Sequence, residues 1–266
     1  MEGEPVIANV EGGIGSLVLN RPDASNVLSD GMLDELIKHS ARFERDSRVR
    51  CVVLSARGKH FMAGADLKEF HSSLVRRRDD FVAGREQDVI RAHQLIYQLR
   101  RMPKPVIASV QGSAIGIGFS FVLACDLAIA AASASFSLAY CHVGLSADGG
   151  STYALPRIVG ERKALEIALL GEKLSAQQAL ELGLINRLVD DSALEERTIE
   201  LARRLANGPT VALGLTKRLI RSSFDNCWDA HSHREAESFA VATSTEDHLE
   251  ATSAFLEKRK AVFSGR

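Results

Sequence analysis

The first half of the chain alternates short apolar runs with longer amphipathic segments, and this alternation constrains the fold more than any other feature. Apolar or β-branched runs at 14–19, 49–55, 106–110 and 127–130 predict strands. Helical patterns lie between them, at about 30–46 and 87–102. Strands that alternate with helices favour crossover units in a layered core, so the sequence predicts the α/β class.

The second half is predicted to be almost entirely helical. Ser175 with Gln178, and Ser192 with Glu195, have the spacing of capping boxes at helix starts. Together with the apolar spacing they predict helices at 176–182, 193–206, 211–221 and 247–262. We therefore expect two regions, an α/β core over 1–200 that holds the site and a helical oligomerisation region over 201–266.

Composition and charge exclude several classes of function. A net charge of -1 gives no basic field for a phosphate polymer, so no nucleic-acid partner is expected. The most apolar stretch, 115–125, is shorter than the ~20 residues that span a bilayer, and it predicts a buried helix rather than a membrane segment. Residues 1–5 are acidic and predict no signal peptide.

The four cysteines have no metal-ligand spacing, so no metal site is expected. Cys51 and Cys125 lie in apolar runs and are predicted to be small core residues. Unpaired core cysteines are typical of a reducing compartment, which indicates a cytoplasmic protein.

Two loops rich in small residues follow predicted strands, at 60–67 and at 111–118. Small residues allow the backbone to approach a ligand closely. In the second loop an apolar helix begins at once, and a helix N-terminus offers free N–H groups that suit developing negative charge. Either loop by itself is also compatible with simple turn formation.

Two other functions are conceivable for the second loop. Gly116 and Gly118 supply two glycines of a dinucleotide fingerprint, but Phe121 occupies the third position. Ser120 lacks the closing glycine that a nucleophile elbow requires. Neither function is favoured.

Taken together, eight short strings resemble the crotonase (enoyl-CoA hydratase/isomerase) superfamily, in its order and over nearly the whole chain. They are LNRP at 19–22, FMAGADLK at 61–68, KPVIA at 104–108, CDL at 125–127, GLSADGG at 144–150, LPRIVG at 155–160, GLI at 183–185 and AFLEKRK at 254–260. The resemblance implies a spiral of ββα units with C-terminal helices that support trimers, often paired into hexamers. It also implies an acyl-coenzyme A substrate and no separate cofactor.

By motif position, the resemblance places the thioester oxygen between the backbone N–H groups of Ala65 and Ile117. The carbonyls of Ala63 and Leu67 match those that hold the adenine amino group. The remaining coenzyme A or substrate contacts that the resemblance implies are Ala24, Lys59, Asp66, Lys68 and Tyr140, with Phe255 and Lys258 reaching a neighbouring subunit's coenzyme A. Asp23 stands where many members carry a basic residue near the phosphates.

The family's hydratases use two glutamates, and by motif position these fall at Ser120 and Tyr140, which are not carboxylates. Asp148 lies in a loop that the resemblance places over the acyl chain. Some isomerases of the superfamily use a single aspartate at this position, and 4-chlorobenzoyl-CoA dehalogenase uses an aspartate there as a nucleophile. An isomerase that shifts a proton with Asp148 is the favoured hypothesis, although Asp148 could instead cap the turn at Gly149.

Two other hypotheses stay open. One is a different reaction on the same scaffold, either a hydratase with unusual acids or a hydrolase or dehalogenase. The other is a non-catalytic acyl-CoA-binding protein. The polar segment 70–84 is expected to be an irregular loop that walls the acyl site. His142 is expected to be structural, and His231 and His233 are expected to face different sides of a helix.

Overall fold

The computed structural model describes residues 4–76 and 81–266, so the expectation of no signal peptide over 1–5 falls mostly outside the described residues. The strands of the described residues are β1 (Val6–Glu11), β2 (Ile14–Leu19), β3 (Cys51–Ala56), β4 (Val106–Val110), β5 (Ser113–Ile115), β6 (Leu127–Ala131), β7 (Ser135–Ser137), β8 (Leu174–Ser175) and β9 (Arg187–Val189).

The helices of the same part of the chain are α1 (Asp30–Arg45), α2 (Leu67–Arg76), α3 (Phe81–Arg101), α4 (Ile117–Ala124), α5 (Ser151–Val159), α6 (Glu161–Leu170), α7 (Ala176–Glu181), α8 (Leu194–Ala206), α9 (Thr210–Ser222), α10 (Trp228–Thr243) and α11 (Glu246–Leu256). None of the helices in the described ranges is long and apolar enough to cross a membrane.

A six-stranded sheet in the order β1-β2-β3-β4-β6-β9 forms the centre of the molecule. β1 is antiparallel to β2, and the other neighbours are parallel. All five residues of β4 are buried, as expected for a parallel strand that is covered on both faces. The register aligns Leu54 of β3 with Ala108 of β4, so the two strands end side by side. The α/β fold class is confirmed.

A second sheet of three short strands, in the order β5-β7-β8, lies next to the ends of the main strands. A parallel bridge between Met62 and Ala114 ties the segment after β3 to β5. Strands of two or three residues carry too little periodicity to be seen in a sequence, which explains why β5, β7, β8 and β9 were not predicted. β1 was also missed, although it has six residues.

Of the two capping boxes predicted at helix starts, one is present and the other is not. Ser175 and Gln178 form the expected capping box at the start of α7. The box at Ser192 is wrong, because residues 191–193 form a 3-10 turn and α8 begins at Leu194 without a side-chain cap. The carboxylate of Asp191 instead accepts hydrogen bonds from the backbone and the hydroxyl of Ser133, which fixes the turn.

The expectation of an irregular loop over 70–84 is wrong for the part that the structure describes, because α2 and α3 occupy it and only residues 77–80 lie outside. The missed signal is an N-terminal cap. The carboxylate of Asp66 accepts hydrogen bonds from the backbone N–H groups of Lys68 and Glu69, at 3.2 and 3.3 Å.

The last helix is shorter than predicted and ends at Leu256 rather than near residue 262. Lys258 takes a left-handed backbone conformation with φ of 56°, which ends the helical path. The guanidinium of Arg259 then turns back to the carboxylate of Glu250, at 2.6 and 2.9 Å.

Two polar clusters fasten the helical C-terminal part to the main sheet. Arg50, directly before β3, donates to Thr210 Oγ1 at 3.0 Å and to the carbonyls of Gly208 and Phe263 at 2.7 and 2.9 Å.

Helix α8 packs against β3 and β4 and continues across the predicted boundary at residue 200. The division into two regions stays a prediction.

The second cluster surrounds Asp126, which follows α4. Its carboxylate contacts Lys217 Nζ at 2.6 Å and Arg221 Nη2 at 3.0 Å, both on α9, and accepts the backbone N–H of Val106 at 2.8 Å. Lys217 is 8% exposed, and burial lowers the pKa of its ammonium while the Asp126 carboxylate raises it. The buried ammonium of Lys217 therefore depends on the Asp126 carboxylate for its counter-charge.

We predict that Asp126→Asn lowers the free energy of unfolding by about 3–5 kcal/mol, because it leaves the buried Lys217 ammonium without its counter-charge. Urea denaturation monitored by circular dichroism measures this loss. Glu166→Gln is the control, since it breaks the exposed Lys163–Glu166 pair and should cost less than about 1 kcal/mol. Equal small losses in the two variants would contradict the anchoring role of Asp126.

Candidate active site

The two glycine loops lie side by side at the carboxyl ends of β3 and β4. The backbone N–H groups of Phe61 and Met62 donate to the carbonyls of Gln111 and Ser113 at 2.9 and 3.0 Å. In return, the N–H of Ile115 donates to the carbonyl of Met62 at 2.9 Å. Sites in parallel α/β sheets commonly form at this edge, and here the backbone of one loop fixes the other.

A third segment holds the first loop from its other side. The N–H of Ala63 donates to the carbonyl of Ser25 at 3.0 Å, and the N–H of Leu28 donates to the carbonyl of Gly64 at 2.8 Å. Residues 21–28 therefore belong to the same structural unit as the loop at 57–66.

Asn26 organises this unit and was not predicted from the sequence. Its fully buried side-chain amide donates to the carbonyls of Arg57 and His60 at 2.9 and 2.8 Å, and its carbonyl oxygen accepts the N–H of Arg21 at 2.8 Å. Its φ of 54° is a conformation that asparagine tolerates better than most residues. This tolerance is the one feature of the sequence that could have indicated Asn26. It does not distinguish Asn26 from an asparagine in an ordinary turn.

Helix α4 starts in direct contact with the first loop. A Cβ at Gly118 would lie 2.7 Å from Met62 Cβ and 2.8 Å from the Met62 carbonyl oxygen, so this position accepts only glycine. Gly118 thus serves the packing of α4, which removes the structural basis for the dinucleotide fingerprint. Gly116, with φ of 55°, precedes the helix and lets the chain turn into it.

Within residues 4–76 and 81–266, the backbone N–H groups of these loops without a hydrogen-bond acceptor include those of Ala65 and of Ile117, the first residue of α4. A helix leaves its first N–H groups unpaired, and its N-terminus favours negative charge. Both groups lie at the edge of the sheet, and an acceptor with developing negative charge would suit them; their role as donors to a thioester oxygen stays a prediction.

The loop that carries Asp148 is pressed against the first turn of α4. A Cβ at Gly149 would lie 2.5 Å from Ile117 Cδ1 and 2.6 Å from Ser120 Cβ. The buried hydroxyl of Ser120 lies 3.1 Å from the backbone carbonyl oxygen of Asp148 and 3.3 Å from that of Gly116. Ser120 thus donates to the backbone, which gives its hydroxyl a structural role and not that of a nucleophile.

The carboxylate of Asp148 accepts a hydrogen bond from the hydroxyl of Tyr140, with Oη and Oδ1 2.5 Å apart. Within the described residues it accepts no backbone N–H, whereas its backbone carbonyl accepts both the N–H and the hydroxyl of Ser151. The side chain is therefore not a turn cap. The alternative that Asp148 only stabilises the turn before Gly149 loses its structural basis.

Burial raises the pKa of the Asp148 carboxyl, and the hydrogen bond from Tyr140 and the positive charge of His93 partly oppose this rise. Burial, followed by the charge of Asp148, raises the pKa of the Tyr140 hydroxyl. At neutral pH the pair is a protonated phenol that donates to a carboxylate of increased basicity. Such a carboxylate suits the removal and return of a proton.

The predicted coenzyme A contacts are placed as follows. Lys59, Leu67 and Lys68 are exposed near the first loop, while Ala24, Ala63 and Asp66 are half-buried. The carboxylate of Asp66 is already engaged as the cap of α2, so its side chain is occupied in this structure. On α11 and just after it, Phe255 is 82% exposed and Lys258 is also exposed.

The three histidines His142, His231 and His233 have partners within the protein. His142 Nε2 lies 3.1 Å from the carbonyl oxygen of Gly171, while His231 and His233 pair with Glu235 and Glu237 along α10. No cluster of three or more potential metal ligands occurs among the residues that the structure describes. A cavity of 1360 Å³ lies between α9 and the end of α3, and Asp148 does not line it.

The fold and the site together give an α/β protein with candidate backbone donors in two adjoining loops and a half-buried carboxylate beside the first turn of α4. The chain belongs to the enoyl-CoA hydratase/isomerase family of the crotonase superfamily, whose family model matches residues 9–266. This confirms the resemblance that the sequence motifs carried.

Three relatives illustrate the range of this family. The chain is 38% identical to 1,2-epoxyphenylacetyl-CoA isomerase of Escherichia coli (strain K12), with 99% of each chain covered. It is 31% identical to 4-chlorobenzoyl coenzyme A dehalogenase-1 of an Arthrobacter species, with 92% of this chain and 88% of that protein covered. The crystal structure of an enoyl-CoA hydratase of Mycobacterium smegmatis superposes with a TM-score of 0.90 at 33% identity, covering 97% of this chain and 98% of that one.

We predict that Gly149→Ala damages the site more than its backbone strain alone explains, because the new methyl would meet Ile117 and Ser120. Gly144→Ala is the matched control, since Gly144 also has positive φ, 71°, but a methyl group there would have no atom within 4 Å. Thermal unfolding should show a further loss of about 1–3 kcal/mol for Gly149→Ala beyond the control. Equal losses would mean that the Asp148 loop is not tightly packed on α4.

Proposed function

We propose that this protein is an acyl-CoA isomerase in which Asp148 moves a proton along the acyl chain of a coenzyme A thioester. The observation that carries the proposal is the carboxylate of Asp148, half-buried beside the first turn of α4 and free of backbone hydrogen bonds within the described ranges. Its environment makes it more basic than an exposed aspartate, as a catalytic base requires.

In the proposed reaction, the carboxylate of Asp148 takes a proton from the carbon next to the thioester. The electron pair of that C–H bond moves toward the thioester oxygen, which becomes an enolate. The N–H groups of Ala65 and Ile117 donate to this oxygen, and one donor of this kind typically lowers the barrier by ~2.7–4 kcal/mol. Asp148 then returns the proton to the carbon at the other end of the conjugated system, so the double bond shifts and no atom is lost.

Water addition is a poorer fit to the same residues. A hydratase needs one group to activate water and another to protonate the enolate carbon. The positions that would carry these acids hold Ser120 and Tyr140, and their hydroxyls are engaged with Asp148. A single carboxylate supports a proton shift, which needs one base that later acts as an acid.

The coenzyme A moiety of the substrate is the only cofactor-like group in this proposal. We place its adenine at the carbonyls of Ala63 and Leu67 and its phosphates near Lys59 and Lys68, which are exposed beside the first loop. Ala24, Asp66 and Tyr140 complete the proposed contacts, Asp66 through its backbone since its carboxylate caps α2.

A second candidate is nucleophilic attack by Asp148 on an aryl-CoA that carries a leaving group. It is favoured by one observation, the exposed imidazole of His93 near enough to Asp148 to lower its pKa. In that chemistry a basic group must activate the water that hydrolyses the aspartyl ester. Release of halide from 4-chlorobenzoyl-CoA would identify this activity.

We predict that Asp148→Asn loses ~100- to 10,000-fold in turnover of a 3-enoyl-CoA to its conjugated 2-enoyl isomer. The amide has nearly the shape of the carboxylate but does not accept a proton at neutral pH. Formation of the conjugated thioester, followed by ultraviolet absorbance, measures the reaction across a series of 3-enoyl-CoAs.

Two measurements keep this test decisive. Acyl-CoA should raise the melting temperature of Asp148→Asn as much as that of the unchanged protein, because binding is retained. Ser120→Ala is the comparison for a change close to Asp148 that leaves the base intact. Turnover of Asp148→Asn near the original rate would reject Asp148 as the base, and binding without turnover by the unchanged protein would favour an acyl-CoA-binding role.

We further propose a cytoplasmic homotrimer or a hexamer of two trimers. The C-terminal helices support assembly because they expose large apolar side chains. Phe239 is 72% exposed, Phe255 82% and Leu256 80%, more than isolated surface residues explain. A neighbouring subunit would cover them and would receive Phe255 and Lys258 near its coenzyme A.

Light scattering coupled to size-exclusion chromatography is predicted to give three or six times the monomer mass. Phe255→Ser combined with Leu256→Ser should shift the assembly toward smaller species, since it removes apolar surface from the proposed contact. Glu257→Ser, at the next exposed position, is the control. A stable monomer of the unchanged protein would reject the assembly and the roles of Phe255 and Lys258.

A further inference from the structure

Three hydroxyl groups converge on Asp148 from different elements, and that of Ser151 on α5 donates to the same backbone carbonyl as that of Ser120. Ser120 on α4 reaches its backbone carbonyl, and Tyr140, in the 3-10 turn at Tyr140–Val143, reaches its carboxylate. The contact to Ser120 fixes the main chain of Asp148, and the contact to Tyr140 fixes the end of the side chain. In the described residues neither the hydroxyl of Ser120 nor that of Tyr140 donates another hydrogen bond to Asp148. Ser120 therefore acts on the backbone of Asp148 and Tyr140 on its carboxylate.

The ring of Tyr140 is itself held against the start of α4. A Cβ at Gly116 would lie 3.7 Å from Tyr140 Cζ and 3.9 Å from its hydroxyl oxygen. The hydroxyl is therefore next to the backbone that leads into Ile117. Because this ring is half-buried and has few rotatable bonds, it can hold a carboxylate in one orientation at low entropic cost.

We propose that Tyr140 is a positioning residue for Asp148: its hydroxyl holds Oδ1 and leaves Oδ2 as the oxygen that exchanges a proton with the substrate. This inference rests on the proposed function, in which Asp148 is the base. Tyr140 is then no longer a substrate contact, because it acts on the reaction through Asp148.

The direction of the hydrogen bond is fixed by the chemistry of the two groups. The raised pKa of Tyr140 keeps its phenol protonated, and an ionised carboxylate can only accept. The bond therefore stabilises the ionised form of Asp148 and opposes the effect of burial. Two further groups face Asp148, the imidazole of His93 on α3, which also favours the ionised form, and the uncharged Ser120.

Removal of the Tyr140 hydroxyl should therefore raise the pKa of Asp148 further, since burial remains and one opposing contact is lost. The base is active when ionised, so turnover falls as the pH drops through this pKa. In Tyr140→Phe the acidic limb of the kcat profile should move to higher pH by about one to two pH units, the range expected for one hydrogen bond to a charged group. On that limb the variant should be about 10- to 100-fold slower than the unchanged enzyme.

The matched control is Tyr153→Phe. It removes a tyrosine hydroxyl that lies 3.0 and 3.1 Å from the carboxylate oxygens of Asp225, an exposed pair outside the site. It should leave the acidic limb in place. The same comparison is then made in a His93→Gln background. The acidic limb of the double variant Tyr140→Phe/His93→Gln should lie above that of His93→Gln by the same number of pH units, because neither protein carries the imidazole.

A double-mutant cycle separates positioning from direct contact with the substrate. If Tyr140 acts through Asp148, Tyr140→Phe should change the residual turnover of Asp148→Asn by less than about two-fold, because coupled residues are not additive. If the tyrosine touches the substrate independently, the two losses multiply and KM rises as well. Multiplying losses would overturn the proposal.

The decisive measurement needs no substrate. In protein labelled with ¹³C at aspartate carboxyls, the Asp148 resonance is the one absent from Asp148→Asn, and its titration midpoint should be higher in Tyr140→Phe. An unmoved midpoint overturns the positioning role whichever reaction the enzyme catalyses. A raised midpoint combined with full turnover of Asp148→Asn would instead reject the proposed function, and with it the catalytic meaning of the contact.

Discussion

The close approach of helix α4 to the loop after β3 is the constraint on which the rest of the site depends. It requires glycine at 118, because the backbone of Met62 occupies the space of a side chain there. The same approach lets the two loops exchange backbone hydrogen bonds, so neither can move without the other. The N–H groups of Ala65 and Ile117, the proposed donors to the thioester oxygen, are thus held in place by this packing, and preorganised donors would need no rearrangement in the proposed reaction.

The acidic loop depends on the same helix. Gly149 packs against Ile117 and Ser120, so the element that provides one backbone donor also sets the position of the carboxylate. The electrostatic consequence is a balance: burial makes Asp148 more basic, and the phenol of Tyr140 limits that effect. A carboxyl buried without such a partner would stay protonated to higher pH, so a smaller fraction of it would be ionised and able to accept a proton near neutrality. The hydroxyls of Ser120 and Tyr140 thus both contact Asp148, one at its backbone carbonyl and the other at its carboxylate.

Parts of this arrangement that follow from local pattern could be predicted from the sequence. The strands predicted at 14–19 and 106–110 coincide with β2 and β4, since β-branched runs bounded by turns are a strong signal. The motif order indicated the family and the candidate donors and base, whose catalytic roles stay proposals. Contacts between distant segments could not be predicted. The buried amide of Asn26 joins segments more than thirty residues apart, and the bond from Tyr140 to Asp148 depends on a left-handed residue before the turn.

The hydrogen bonds of Arg50 have a consequence for how the protein forms. This residue precedes β3 and binds the carbonyl of Phe263, a partner 213 positions later in the chain. During synthesis, 213 further residues must be added before this carbonyl exists, while strands close to Arg50 in the sequence can already pair. Contacts of such sequence separation slow folding, because the loop between them must close first. The strand that leads into the first glycine loop is therefore secured late, and catalytic competence should appear only after the C-terminal helices have docked.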